Sequence, residues 1–191
     1  NQDVVLNIYQ YGSRVYNCAT NNSDYDFVII VQGSKSNYQI HTGEIELSVY
    51  GEIEFQQMIN EHEISALECL FLPQKFIIKE TKKFDFNLDL NILRSSLSKK
   101  SSNSWAKAGK KLTIEEDFNI YIAKKSLFHS LRIIYFGIQL AMTGKIINYE
   151  EANYLLYEIL DNPSENWLDY KEKYQSFYNE LRSQFRLKCP K

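Results

Sequence analysis

Tyr11-Gly12-Ser13-Arg14, followed by Ser23-Asp24-Tyr25-Asp26-Phe27-Val28-Ile29-Ile30-Val31, decides the reading of this chain. A Gly-Ser turn closes an apolar-rich run, and an Asp-x-Asp pair then feeds into an apolar strand. Two carboxylates two apart on a strand point to the same face. Glycine lets the backbone turn tightly and approach an anion closely. Serine adds a hydroxyl, and the exposed N–H groups of such a turn favour phosphate oxygens. Mg2+ takes oxygen ligands, usually a few carboxylates plus water and substrate phosphates. Asp24 and Asp26 fit that need, with Tyr25 pointing to the opposite face and packing there. The combination points to metal-dependent chemistry on a nucleoside triphosphate.

A two-metal site needs more than two ligands, so a third carboxylate is expected. Glu44-Ile45-Glu46-Leu47-Ser48-Val49-Tyr50 alternates polar and apolar, the pattern of a half-buried strand. Glu44, Glu46 and Ser48 share one face of it. Glu46 is favoured, because Ile45 and Leu47 flank it, and Glu44 is the alternative. Glu on an exposed strand face is otherwise ordinary.

Gly12-Ser13, Asp24-x-Asp26 and Ile45-Glu46-Leu47 together resemble the nucleotidyltransferase superfamily of the DNA polymerase beta type. Gly12-Ser13-Arg14-Val15-Tyr16, Ala19-Thr20 and Ser23-Asp24-Tyr25-Asp26-Phe27 are similar to a group of small bacterial and phage nucleotidyltransferases. Glu63 to Phe71 resembles a segment of that group that follows the third acid. Lys125 to Gly144, with His129, Arg132, Gly137 and Thr143-Gly144, resembles its helical C-terminal part. The family usually has Gly where Asn17 stands. Asn tolerates the left-handed region better than most residues, so the turn can survive.

The resemblance implies an α+β fold: a nucleotidyltransferase-type mixed sheet with helices, then an α-helical C-terminal half, the two forming a cleft around the nucleotide. It implies a catalytic domain at 1–84 and a helical domain at 85–191. Asp24, Asp26 and Glu46 are the expected catalytic residues and ligands of Mg2+ or Mn2+. Gly12, Ser13, Arg14, Lys125, His129 and Arg132 are the expected nucleotide-binding residues, with ATP the expected NTP. The implied reaction moves a nucleoside monophosphate from the NTP to an acceptor hydroxyl and releases pyrophosphate. The acceptor stays open between an RNA end, a protein side chain and a small molecule. A different reading keeps the fold without catalysis, as a nucleotide-sensing or partner-binding module of toxin–antitoxin type; the intact three-acid set disfavours it.

The remaining sequence agrees with a globular protein. Its 191 residues are 44% hydrophobic, enough to bury a real core. The net charge of −2 argues against a broad nucleic-acid-binding surface. Most of the 14 Tyr lie at helical spacing, as half-buried packing residues do. No stretch approaches the roughly 18 apolar residues of a membrane span, and no signal peptide is visible. Cys18, Cys69 and Cys189 lack metal-ligand spacing. So sparse and odd a set fits a reducing compartment, and a cytoplasmic protein is expected.

The pattern changes near residue 80. Strand-like runs at Val4–Tyr9, Phe27–Val31, Ile45–Tyr50 and Phe76–Ile78 precede it, with a helix over about Ile53 to Phe71. Phe118–Met142 then repeats apolar residues at helical spacing, with Gly144 as its C-cap. Asn148 with Glu151 reads as a capping-box variant. Asn162-Pro163-Ser164 breaks the chain, and Ser164 starts a last amphipathic helix to about Arg186. Residues 90–114 carry Arg94, Lys99, Lys100, Lys107, Lys110 and Lys111 and no acid. Two readings stand for this segment: a solvated helix face with a flexible loop, or a path for a nucleic-acid acceptor strand or the triphosphate. Lys125, His129 and Arg132 fall on one helix face, so three potential cations share a stripe.

Overall fold

A computed structural model of the chain describes residues 4–33 and 37–190. The chain divides into two compact units, Asn1–Leu88 and Asp89–Lys191.

The first unit is built on five strands: β1 (Val5–Tyr11), β2 (Tyr25–Val31), β3 (Asn37–Thr42), β4 (Ile45–Gly51) and β5 (Ile77–Glu80). They form one mixed sheet in the order β3-β4-β2-β1-β5. β2 and β4 run parallel, and the other neighbouring pairs are antiparallel. β2 is the central strand, and its continuous apolar run buries Val28, Ile30 and Val31. A strand covered on both faces needs that composition. β3 escapes the sequence pattern because all six of its residues are exposed, so no apolar alternation marks it. Buried Asn7 fastens the outer strand: its amide oxygen accepts from the Thr81 and Lys82 N–H groups at 3.0 and 2.9 Å.

Two helices follow β4 where one was expected over 53–71: α1 (Glu52–Asn60) and α2 (Ile64–Leu70). The break falls at His62, which takes φ = 54°. A residue in the left-handed region ends a helix, and His tolerates that region better than most. Its buried ring donates Nδ1–H to the Asn60 carbonyl at 3.0 Å. Neither neighbouring composition nor Gly or Pro announces this break.

The second unit is all helical among the described residues: α3 (Leu90–Thr113), α4 (Ile120–Thr143), α5 (Asn153–Asp161) and α6 (Trp167–Lys188), with one short 3-10 turn at Glu115–Asp117. Asp89 caps α3 by accepting from the Asn91 and Ile92 N–H groups. Asn119 caps α4 by accepting from Ile122 N–H, and Gly144 ends it at φ = 74° as the expected C-cap. Residues 90–114 are therefore helix almost throughout, not helix and loop.

Two expected caps are corrected. Asn148 accepts from Glu150 N–H within a turn, and α5 starts only at Asn153. Glu151 is drawn instead to the Gln139 amide at 2.5 Å. Ser164 precedes α6, whose cap is Asn166, accepting from Leu168 N–H. The tyrosines at 170, 174 and 178 are buried at i, i+4 spacing, with Trp105 stacked on Tyr178 at 4.3 Å. Among the described residues, no helix is long and apolar enough to cross a membrane.

Candidate active site

The sheet topology brings three chain segments to one end. β1 runs out at Tyr11 where antiparallel β2 begins, and parallel β4 begins beside β2. Tyr11 pairs with Asp26, Asp26 with Glu46, and Glu46 with His41 of β3. This is one row across four strands. Lateral partners point to the same face, so Asp26 and Glu46 are neighbours there. Asp24 lies just before β2 and is exposed, whereas Asp26 and Glu46 are half-buried. Glu44 sits in the β3–β4 turn, where its carbonyl accepts from Tyr25 N–H at 2.7 Å. Sequence reasoning missed His41, and only the pairing of a strand without an apolar pattern reveals its place beside Glu46.

The Gly12–Arg14 turn leaves β1 as a single 3-10 turn with Gly12 at φ = 72°. A Cβ at Gly12 would stand 1.9 Å from Asp26 Oδ2, far inside any tolerable contact. The glycine thus serves two needs, the left-handed backbone and the closeness of the carboxylate. Val15 N–H and Cys18 N–H close the turn onto the Gly12 and Ser13 carbonyls, both at 3.0 Å. Asn17 takes φ = 55°, the left-handed geometry expected of it in place of Gly.

Arg14 reaches across to the entry of β2. Its Nη2 donates to the Ser23 carbonyl at 2.9 Å, and its guanidinium lies 3.6 Å over the Tyr25 ring. Tyr25 is 41% exposed and carries this cation, so it does not pack away as its alternation predicts. Such a stack contributes roughly 0.5–1 kcal/mol at an exposed site. Arg14 Nε is buried without a hydrogen-bond partner among the described residues.

Behind the turn lies a carboxylate that sequence reasoning left without a role. Glu68 of α2 is 1% exposed and accepts from the hydroxyls of Tyr11 and Tyr16, the latter at 3.0 Å. Burial, with the adjacent Glu68 charge, pushes the Tyr11 phenol well above its ordinary pKa, so it stays a donor. The signal was an acid inside the apolar run Ile64–Leu70, since a buried charge demands donors.

Among the described residues, no three His, Cys, Asp or Glu side chains stand close enough together to hold a metal ion. The donor set still suits a hard divalent ion: Asp24, Asp26 and Glu46 offer only carboxylate oxygens. The absence of a side chain at Gly12 lets the Asp26 carboxylate lie directly against the turn, where a Cβ would displace it. Asp24 is exposed and Glu46 half-buried at this end of the sheet.

Lys125, His129 and Arg132 lie on α4 of the second unit. They are not three cations. His129 Nδ1 accepts from Arg132 Nη2 at 3.0 Å. Burial, then the charges of Arg132, Lys100 and Lys107, bring its pKa down to about 3, so the ring is neutral at pH 7. Arg132 is buried and stacks its guanidinium 5.2 Å over Phe128, while Lys125 is exposed and lies 5.1 Å from the Tyr121 ring. In the basic segment Arg94 donates to the Cys189 carbonyl at 3.0 Å, and Lys111 pairs with Asp117. Lys99, Lys100, Lys107 and Lys110 are exposed.

Comparison with known proteins bears on the first unit. Residues 1–85 match the family model of the nucleotidyltransferase domain. Among solved structures, the chain is similar to a spectinomycin adenyltransferase, AAD(9) from Enterococcus faecialis, crystallised with ATP and spectinomycin. Identity there is 13%, with 96% of this chain and 92% of that one covered and a TM-score of 0.48. A nucleotidyltransferase-like protein from Exiguobacterium sibiricum matches at 15% identity, covering 97% of this chain and 71% of that one, with a TM-score of 0.39. No curated protein matches.

Proposed function

We propose, from the match of residues 1–85 to the family model of the nucleotidyltransferase domain, that the protein is a metal-dependent nucleotidyltransferase using ATP. Residues 1–84 are its catalytic domain and 85–191 its helical domain. The observation that carries the reading is the meeting of the Gly12–Ser13 turn with Asp26, in register with Glu46, at one end of the sheet.

In this reading the chain's own groups position and neutralise. The turn amides and the Ser13 hydroxyl hold phosphate oxygens. Asp24, Asp26 and Glu46 hold Mg2+ or Mn2+, which supplies charge neutralisation at the phosphates and lowers the pKa of the acceptor hydroxyl. The acceptor oxygen forms a bond to the α-phosphorus, and the bond from that phosphorus to the β-phosphate oxygen breaks. The hydroxyl proton leaves to solvent, and pyrophosphate departs with the electron pair. Catalysis of this kind is chiefly positioning and electrostatics. The proposed cationic contribution of the helical domain comes from Lys125 and Arg132. His129 contributes as a neutral ring holding Arg132 in place.

Calorimetric titration with each of the four NTPs in Mg2+ tests binding. A labelled-NTP transfer screen against RNA, protein and small-molecule hydroxyls tests the reaction and identifies the acceptor. Binding with no transfer to any acceptor would favour the nucleotide-sensing module instead. No binding of any NTP would sink both readings.

A further inference from the structure

Glu68 has no part in the proposed chemistry, yet it is one of the most completely buried charged groups of the first unit, 1% exposed on α2. Taking a carboxylate out of water is costly unless its oxygens are hydrogen-bonded. Here the two oxygens are divided: Oε2 accepts from Tyr11 and Oε1 accepts from Tyr16 at 3.0 Å. Tyr11 is the last residue of β1, immediately before Gly12, and Tyr16 follows Val15 on the far side of the turn. One carboxylate therefore ties both flanks of Gly12-Ser13-Arg14-Val15. The two rings meet edge to face with centroids 6.4 Å apart, which fixes their spacing as well as their hydroxyls.

We propose that Glu68 is a positioning residue for the nucleotide: through Tyr11 and Tyr16 it holds the Gly12–Ser13 turn in the conformation that presents Ser13 and the turn amides to phosphate. The inference rests on the nucleotidyltransferase reading of the site. The chemistry calls for Glu in particular. A carboxylate can accept from both hydroxyls at once, whereas the Gln amide has one oxygen and a donor in place of the other. Glu68→Gln must therefore turn one tyrosine hydroxyl round, and the turn loses one of its two holds. Two backbone bonds report on it directly: Val15 N–H to the Gly12 carbonyl inside the bracket, and Cys18 N–H, two residues beyond Tyr16, to the Ser13 carbonyl.

Three variants, Glu68→Gln, Tyr11→Phe and Tyr16→Phe, each alone and combined with Ser13→Ala, test the proposal. The measurements are amide hydrogen exchange in the nucleotide-free protein and calorimetric affinity for ATP with Mg2+. Exchange at Val15 and Cys18 is expected to rise about tenfold, the scale of losing one hydrogen bond to a charged group, while β2 and β4 amides keep their rates. The ATP dissociation constant should rise by a similar factor. Ser13→Ala should cost less affinity in each variant than in the wild type, because a misplaced hydroxyl has less left to lose. A merely structural Glu68 would raise exchange across the whole unit and leave the Ser13 effect additive, and that result overturns the proposal. So does unchanged exchange at Val15 and Cys18. If Glu68→Gln fails to fold, the two Tyr→Phe variants, which keep both rings, carry the test. If the wild type binds no ATP, the nucleotide reading fails by itself, and the exchange data alone decide whether Glu68 holds the turn.

Discussion

The Cα of Gly12 lies against the carboxylate of Asp26, so close that a Cβ there would sit 1.9 Å from Oδ2 and 2.7 Å from Cγ. Two segments separated by a loop thus share one small space at the end of the sheet. Gly12→Ala is expected to be worse than an ordinary Gly→Ala change. Its φ of 72° costs an L-residue roughly 1–2 kcal/mol, and the methyl must also displace Asp26. Thermal unfolding should show the first loss. Calorimetry should show ATP binding weakened beyond it, and unchanged affinity in Gly12→Ala and Gly12→Val alike would place the triphosphate elsewhere.

The acids separate by substitution. Asp24→Asn, Asp26→Asn and Glu46→Gln each keep shape but remove the charge a divalent ion requires. Transfer should fall by at least about a hundredfold in each, the scale of removing a main electrostatic contributor, with the melting temperature nearly unchanged. Glu44→Gln should stay active, since Glu44 sits in the turn before β4 while Glu46 pairs with Asp26. An inactive Glu44→Gln beside an active Glu46→Gln would reverse the assignment.

How much of this was legible in the sequence varied with physical cause. The apolar run of β2 and the Gly-Ser turn speak locally and carry the resemblance that implied the mixed sheet, while apolar residues at helical spacing after residue 80 marked the helical second half. β3 was invisible because an exposed edge strand needs no apolar alternation. The helix break at His62 was invisible because it rests on a tertiary environment, with the ring buried beside Phe86. Glu68 could be seen only as an acid in an apolar run, its donors lying 52 and 57 residues away in sequence. Helical spacing correctly put Lys125, His129 and Arg132 on one helix, but spacing carries no information on desolvation, which strips His129 of its charge.

That loss of charge has a measurable consequence. The folded-state pKa of His129 is near 3 and the unfolded value near 6.5. Between these values the unfolded chain binds the extra proton, so folding stability is complete above about pH 6.5 and declines as pH falls towards 3. The slope from this one group is at most about 1.4 kcal/mol per pH unit. His129→Gln should flatten the dependence of unfolding free energy on pH over that window, measured by denaturant titration. A wild type and variant with parallel pH profiles would show that His129 does not desolvate as its surroundings imply.

The basic face of α3 tests the acceptor class. Lys99, Lys100, Lys107 and Lys110 are exposed, while Arg94 and Lys111 already serve the Cys189 carbonyl and Asp117. Replacing the four exposed lysines by Ser therefore removes charge without breaking either internal bond. If the acceptor is a nucleic acid, its affinity should fall. The slope of log K against log salt should also flatten by about 0.7 for each single-strand phosphate that a lysine no longer neutralises. ATP affinity should change less, because its proposed ligands are the turn and the acids of the first unit. Little salt dependence in either form would direct the search to a protein or small-molecule acceptor. The same pair of titrations on an Arg94→Ala control should leave the slope unchanged and lower the melting temperature, since Arg94 acts on the end of α6 and not on solvent.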